Sequence, residues 1–148
     1  MPTIRHAESR DIEALRELYG HHLATVLPPE RPLSEWLSLL GELIADENYH
    51  LLVSEVDGSV VATVTLVVVR NLTHGLRPYA VIENVVTHAE HRKSGCGTAL
   101  IAHACELARE RNCYKVMLMT GSKEKRTLRF YERCGFNRHD KTGFIMKL

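Results

Sequence analysis

No two cysteines in this chain are spaced C-x-x-C. The four present, Cys96, Cys105, Cys113 and Cys134, have no histidine pair to complete a zinc pattern, so four reduced thiols and no metal are expected. A basic excess is also missing. The formal net charge is +1 and the pI about 7.8, which argues against an electrostatically driven partner such as nucleic acid or a membrane surface. The first twenty residues carry Arg5, Glu8, Arg10, Asp11 and Glu13, so they hold no apolar signal-peptide core. The longest apolar run, near Val60 to Val69, is broken by Thr63 and Thr65 and is too short to span a bilayer as a helix. There are no repeats, no low-complexity segment and no linker long enough to split the chain. What remains is a single domain over residues 1–148, expected in the cytoplasm. Its 45% apolar and 25% charged content is ordinary for a globular protein and provides a core without disulfides or metal.

Hydrophobic spacing orders the chain. Thr3 to His6 is a short strand. Ser9 stands as an N-cap, with Asp11 and Glu13 in the first turn where the helix dipole favours them. Ile12, Leu15, Leu18, Tyr19 and Leu23 recur at three and four, marking an amphipathic helix that ends near His22. Pro28 to Pro32 reads as a loop, and Ser34 to Ile44 as a second helix. Tyr49 to Val56 and Val60 to Arg70 read as strands joined at Asp57-Gly58, a strong hairpin signal. Tyr79 to Val86 has little polar alternation, as a central strand would. A helix opens at about Thr98 and stops at Asn112. Tyr114 to Met119 is a strand, Lys125 to Arg133 a helix stopped by Cys134-Gly135, and one or two short strands close the chain between Phe136 and Leu148. The class is α+β, a mixed central sheet of about six to seven strands with helices on both faces.

The stretch from Ile82 to Thr98 runs strand, polar turn, Gly95-x-Gly97, helix. A glycine loop at a helix N-terminus can hold an anion by backbone N–H groups. It is not a P-loop, because no Lys-Ser/Thr follows the glycines. The dinucleotide pattern also fails: Leu100 occupies the third glycine position, and Thr87 to Ser94 separate the strand from Gly95. A glycine turn without any ligand is the plain alternative.

Two neighbouring motifs change that balance. Val85-Val86-Thr87-His88-Ala89-Glu90-His91-Arg92-Lys93-Ser94-Gly95-Cys96-Gly97 resembles the acetyl-CoA signature of the GNAT superfamily of N-acetyltransferases. Arg92, Gly95 and Gly97 match its core, and Ala89 stands where proline is usual. Arg129-Phe130-Tyr131-Glu132-Arg133-Cys134-Gly135-Phe136 is similar to the family's second element, Phe-Tyr-x-x-x-Gly-Phe, at the expected separation. The resemblance implies a GNAT fold splayed between the fourth and fifth strands, with acetyl-CoA as co-substrate. It further implies a cofactor site from Val85, Val86 and Thr87, which pair with the pantetheine arm, and from Arg92, Lys93, Ser94, Gly95, Cys96, Gly97 and Thr98 around the pyrophosphate. Tyr131 matches the tyrosine that protonates the departing thiolate. A usual asparagine seven residues earlier is Glu124 here, so that contact is lost or passes to Ser122. The nearest members are glucosamine-6-phosphate and aminoalkylphosphonate N-acetyltransferases. Where the amino-sugar enzymes carry a carboxylate after the fifth strand, this chain has Met119 or Thr120.

A primary amine with a pKa of about 10.4 costs roughly 4–5 kcal/mol to present neutral at pH 7, so a carboxylate in the cleft is useful. Glu83 is that candidate, as base or as ligand to the ammonium. Its other reading is a buried, hydrogen-bonded strand glutamate. Asn84 points to the opposite face if the strand is regular. Tyr131 is either the catalytic acid or a core aromatic beside Phe130, and adjacent helical positions diverge by about 100°, which would send the two rings different ways. Asn84, Arg77 and Tyr79 are candidate acceptor ligands, with Arg70 and His74 on the same loop. The early helices complete the acceptor wall. The expected reaction is acetyl transfer to the amine of a small molecule. Protein or peptide acetylation, and a non-catalytic acyl-CoA-binding module, are the alternatives. A homodimer paired through the third and last strands fits the same layout.

Overall fold

The computed structural model describes residues 2–23 and 30–148; Pro28 and Pro29 of the expected loop lie outside them. The chain opens with β1 (Thr3–His6), a 3-10 turn (Ser9–Asp11), α1 (Ile12–Glu17) and a π-helical turn (Leu18–His22). Ser9 does not cap this helical run. Glu8 stands at the cap, and its backbone N–H donates to Asp11 Oδ2 at 2.7 Å. Asp11 takes that role because Arg5 fixes its carboxylate. Arg5 donates to both Asp11 oxygens at 2.7 and 2.9 Å and to Glu55 at 2.7 Å. One guanidinium thus ties β1 to the helix start and to Glu55, fifty residues on.

The helix α2 (Leu33–Ala45) crosses back, and the meander β2 (Tyr49–Val56), β3 (Ser59–Val69) follows. The hairpin turns at Asp57 and Gly58, whose φ values of 50° and 79° give the paired left-handed conformation that matches strand twist. A single turn, α3 (Thr73–Leu76), runs left-handed through His74, Gly75 and Leu76 at φ 55°, 69° and 65° and leads into β4 (Tyr79–Thr87), then α4 (Cys96–Glu110), β5 (Val116–Leu118) and α5 (Lys125–Arg133). Strand order is β1-β2-β3-β4-β5. The first three pairings are antiparallel and β4 with β5 is parallel.

Two apolar layers flank the sheet. On one face Leu52, Val64, Leu66, Ala80 and Ile82 meet Leu100, Ile101 and Ala104 of α4. On the other, Leu51 and Val53 meet Ile12 and Leu15 of α1 and Leu40 of α2. Alternation along β2 and β3 sorts side chains between the layers.

The described residues form five strands, not six to seven. No strand forms between Phe136 and Leu148; Phe144, Ile145 and Met146 are exposed. Strand-like composition needs a partner edge to become a strand, and β5 offers three residues.

Burial alone would push the Asp11 carboxyl up, but its bonds to Arg5 and to the Glu8 N–H outweigh this and hold it below the ordinary range. A depressed native pKa gives stability that is present above about pH 4 and lost as pH falls through the native value. Asp11→Asn is expected to cost about 1–3 kcal/mol at pH 7, and to remove part of the acid sensitivity, in urea melts at pH 7 and pH 3.

Candidate active site

The site begins with one extra residue in β4. Thr63 pairs with Val86 and Thr65 with Glu83, so Val64 faces both Asn84 and Val85. Asn84 takes φ 53°, a left-handed value that asparagine tolerates better than most residues. This bulge resets the alternation. Ile82 belongs to the α4-side core and Val85 packs against that same core, three residues on rather than two or four. Glu83 and Asn84 between them are both exposed, and Asn84 lines a cavity on the α1/α2 side. The regular-strand expectation for Asn84 is therefore overturned: the bulge brings it to the face where alternation from Ile82 places Glu83. Glu83 is also not the buried glutamate of its structural reading.

The second feature is a gap. Ala80, Val81 and Ile82 pair with Val116, Met117 and Leu118, and the parallel ladder stops there. From Glu83 to Thr87 the β4 edge facing β5 has no strand partner among the described residues. An amide-bearing ligand can pair with such an edge.

The glycine loop follows. Gly95 has φ 87° and precedes α4. Gly97 is constrained by packing: a Cβ there would sit 3.3 Å from Cζ of Phe130 and 3.6 Å from Thr87 Oγ1. The fifteen-residue α4 directs its free N–H groups and positive dipole end at this loop, a geometry suited to phosphate. Arg92 is already engaged. Its Nε donates to the Thr87 carbonyl at 3.2 Å and its NH2 to the His22 carbonyl at 3.1 Å. Ser94 Oγ donates to the His91 carbonyl, and Lys93, at φ 65°, turns the chain toward Gly95.

Histidine spacing in the sequence gave no hint of the next contact. His22 and His88 lie with ring centroids 4.0 Å apart. Backbone N–H groups of Ala89 and Glu90 donate to their respective Nδ1 atoms at 3.3 and 3.1 Å. Glu17 brings a carboxylate to the pair, the three ligand atoms lying within 4.8 Å of one another. Burial, His88 and Arg92 hold the His22 imidazole below its ordinary pKa, against Glu17. The ring is kept neutral, as an acceptor of a backbone N–H must be.

On α5, Phe130 and Tyr131 meet edge to face with centroids 5.0 Å apart, and both pack against the α4-side core. The expectation that they diverge fails because an apolar stripe about 100° wide accommodates neighbouring positions. Burial raises the Tyr131 phenol above its ordinary value, so it stays protonated at neutral pH. Burial likewise raises the Cys105, Cys113 and Cys134 thiols, and all four cysteines are free. Glu124 precedes α5 at the N-cap position, where its carboxylate makes no capping bond and instead pairs with Arg126 at 2.7 Å.

Other sequence candidates stand apart from this site. Tyr79 opens β4, four residues or roughly 13 Å before Glu83. Arg77 donates to the Asn112 and Cys113 carbonyls at 3.1 and 3.0 Å. His74 stacks on Tyr114 at 3.8 Å. Instead, a cavity of about 610 Å³ opens at Asn84, walled by Tyr19, Trp36, Leu39, Tyr49 and Leu51. Burial pushes the Tyr19 phenol up to about 12.

The model of the Acetyltransferase (GNAT) family matches residues 12–136. The chain belongs to that family. A glucosamine 6-phosphate N-acetyltransferase of Trypanosoma brucei brucei is 32% identical over 143 residues, covering 93% of this chain and 90% of the relative. A solved structure from Agrobacterium tumefaciens str. C58, named as a candidate acetyltransferase, is 40% identical, covers 99% of both chains and superposes with a TM-score of 0.90. Another from Bacillus halodurans C-125, named as a transcriptional regulator, is 30% identical, covers 100% of both and has a TM-score of 0.87. Family membership makes this GNAT protein an acyltransferase. No helix among the described residues is long and apolar enough to cross a membrane.

The two loop glycines should fail differently. Gly95→Ala meets no neighbour but keeps φ 87°, a strain of about 1–2 kcal/mol readable as a lower melting temperature. Gly97→Val drives into the Phe130 ring and should also perturb the near-ultraviolet circular dichroism of the aromatic cluster.

Proposed function

We propose that this GNAT protein moves the acetyl group of acetyl-CoA to a primary amine of a small molecule, by direct attack within a ternary complex. The observation that supports this best is the junction of the Asn84 bulge with the open β4 edge. The edge offers backbone groups from Val85 to Thr87 to the pantetheine arm. The bulge sets Glu83 and Asn84 on the face where an acceptor arrives. The relatives named as glucosamine 6-phosphate N-acetyltransferases act, by their names, on a small amine.

In this reading the α4 N-terminus and the backbone from Lys93 to Thr98 take the pyrophosphate. Arg92 positions the loop by its two carbonyl bonds rather than by reaching the phosphates. Backbone N–H groups near Val85 polarise the thioester carbonyl as negative charge develops on it. Glu83 takes the ammonium proton, directly or through water, and the neutral amine attacks the carbonyl carbon. As the C–S bond breaks, the phenol of Tyr131 passes its proton to the thiolate. Burial keeps that phenol protonated, the form an acid must have. No thiol nucleophile takes part.

Tyr131→Phe is expected to lower kcat about 10²–10⁴-fold and leave the KM for acetyl-CoA nearly unchanged, in a thiol-release assay. Because burial raises this phenol, its loss of activity with rising pH should lie above the ordinary tyrosine value of about 10. Glu83→Gln should lower kcat/KM for the amine by a similar factor near pH 7. That deficit should shrink toward pH 10, where the amine is neutral unaided. A deficit constant across pH would remove Glu83 from the base role.

A further inference from the structure

The cavity at Asn84 is a side-chain cavity, and its lining carries chemical information. Its walls are mostly aromatic and aliphatic: Tyr19, Trp36, Leu39, Tyr49 and Leu51. Its volume of about 610 Å³ suits a small organic ligand. It reaches β4 at Asn84, the residue that follows Glu83 in the bulge.

Its charge is equally informative. The charged residues of the lining are Arg31, Glu35 and Glu42. Arg31 Nε donates to Glu35 at 2.6 Å, which leaves an acidic balance. The neighbouring cavity shares the Tyr19, Arg31 and Trp36 walls and is richer in arginine, yet each of those arginines faces a carboxylate. Arg5 pairs with Asp11 and Glu55, Arg10 with Glu8, and Arg16 with Glu13 and Glu30. The Arg16 guanidinium also lies over the Trp36 ring, 5.6 Å from its centroid. Residues 24–29 contain no ionisable side chain. Every arginine that lines either cavity faces a carboxylate, so a phosphate dianion placed here would have to compete with that carboxylate for it.

We infer that the cavity between α1, α2 and the Asn84 bulge is the acceptor pocket, and that it takes a primary amine carried on an aromatic or branched aliphatic body rather than a sugar phosphate. The apolar body packs among Trp36, Tyr19 and Tyr49. The amine end lies at Asn84 and Glu83. The assignment rests on the acetyltransferase reading for its turnover, but not for its binding.

Trp36 is the sole tryptophan of the chain, so its emission reports occupancy directly. With CoA present, 2-phenylethylamine should shift or quench that emission saturably, with a Kd at least tenfold below that of glucosamine 6-phosphate. In thiol release with acetyl-CoA, kcat/KM should favour the arylalkylamine by the same factor or more. Ser38→Leu fills the cavity from an exposed position on α2. It should raise the KM for the amine about tenfold and leave the KM for acetyl-CoA unchanged. Tyr49→Ala provides a second variant from the opposite wall. Emission that responds more strongly to glucosamine 6-phosphate, or to neither amine, overturns the pocket assignment, as does an amine KM unmoved by Ser38→Leu. Saturable emission change without thiol release from any amine supports the pocket and instead sinks the acetyltransferase reading.

Discussion

One residue too many in β4 sets the geometry of the whole site. With regular pairing, Asn84 would turn toward α4 and compete with the core around Ile82 and Leu100. The bulge opposite Val64 removes that conflict by giving β4 an additional step. It sets two adjacent polar side chains on one face and returns Val85 to the α4-side core. It also increases local twist, as bulges do, at the place where β4 and β5 stop pairing. The gap for a cofactor arm and the polar pair facing an acceptor therefore sit on neighbouring residues of one strand.

The cofactor loop is held from the opposite end of the sequence. Arg92 bonds the carbonyl of His22, seventy residues earlier, and the ring of His22 accepts the N–H of Ala89. The π-helical turn that ends the first helical run is thereby attached to the start of the glycine loop. Tyr19 belongs to that same turn and walls the acceptor cavity. A displacement of this turn moves both halves of the site together. In turn, α1 and its extension are anchored through Asp11 to Arg5 and Glu55.

What the sequence made legible was local. Asp57-Gly58 demanded a tight hairpin, and β2 forms over the expected residues because alternation and turn chemistry agree there. The helix from Lys125 to Arg133 and its stop at Gly135, φ 102°, follow the same logic. The bulge was not legible, because an asparagine inside an apolar run signals nothing until the register of its neighbour is known. The contact of His22 with His88 is equally a product of tertiary placement. The strand expected after Phe136 shows the reverse error: suitable composition, with too short a neighbouring edge to pair against. Gly97 was legible as a glycine but for an incomplete reason, since its missing Cβ also makes room for Phe130.

The two halves of the site are built from different materials, and this governs what resemblance can convey. The cofactor half depends on backbone: an open strand edge, a left-handed turn at Gly95 and the N–H groups of α4. Such a half leaves a short signature in the sequence, because glycine spacing and a strand before a helix are nearly sufficient to make it. The acceptor half depends on side chains drawn from α1, α2, β2 and the bulge of β4, far apart in the chain. Each substitution there changes shape or charge while leaving the backbone where it was. A chain can therefore keep the fold and signature of the amino-sugar enzymes and still offer a different wall to its acceptor. In this chain that wall is made by Tyr19, Trp36, Leu39, Tyr49 and Leu51.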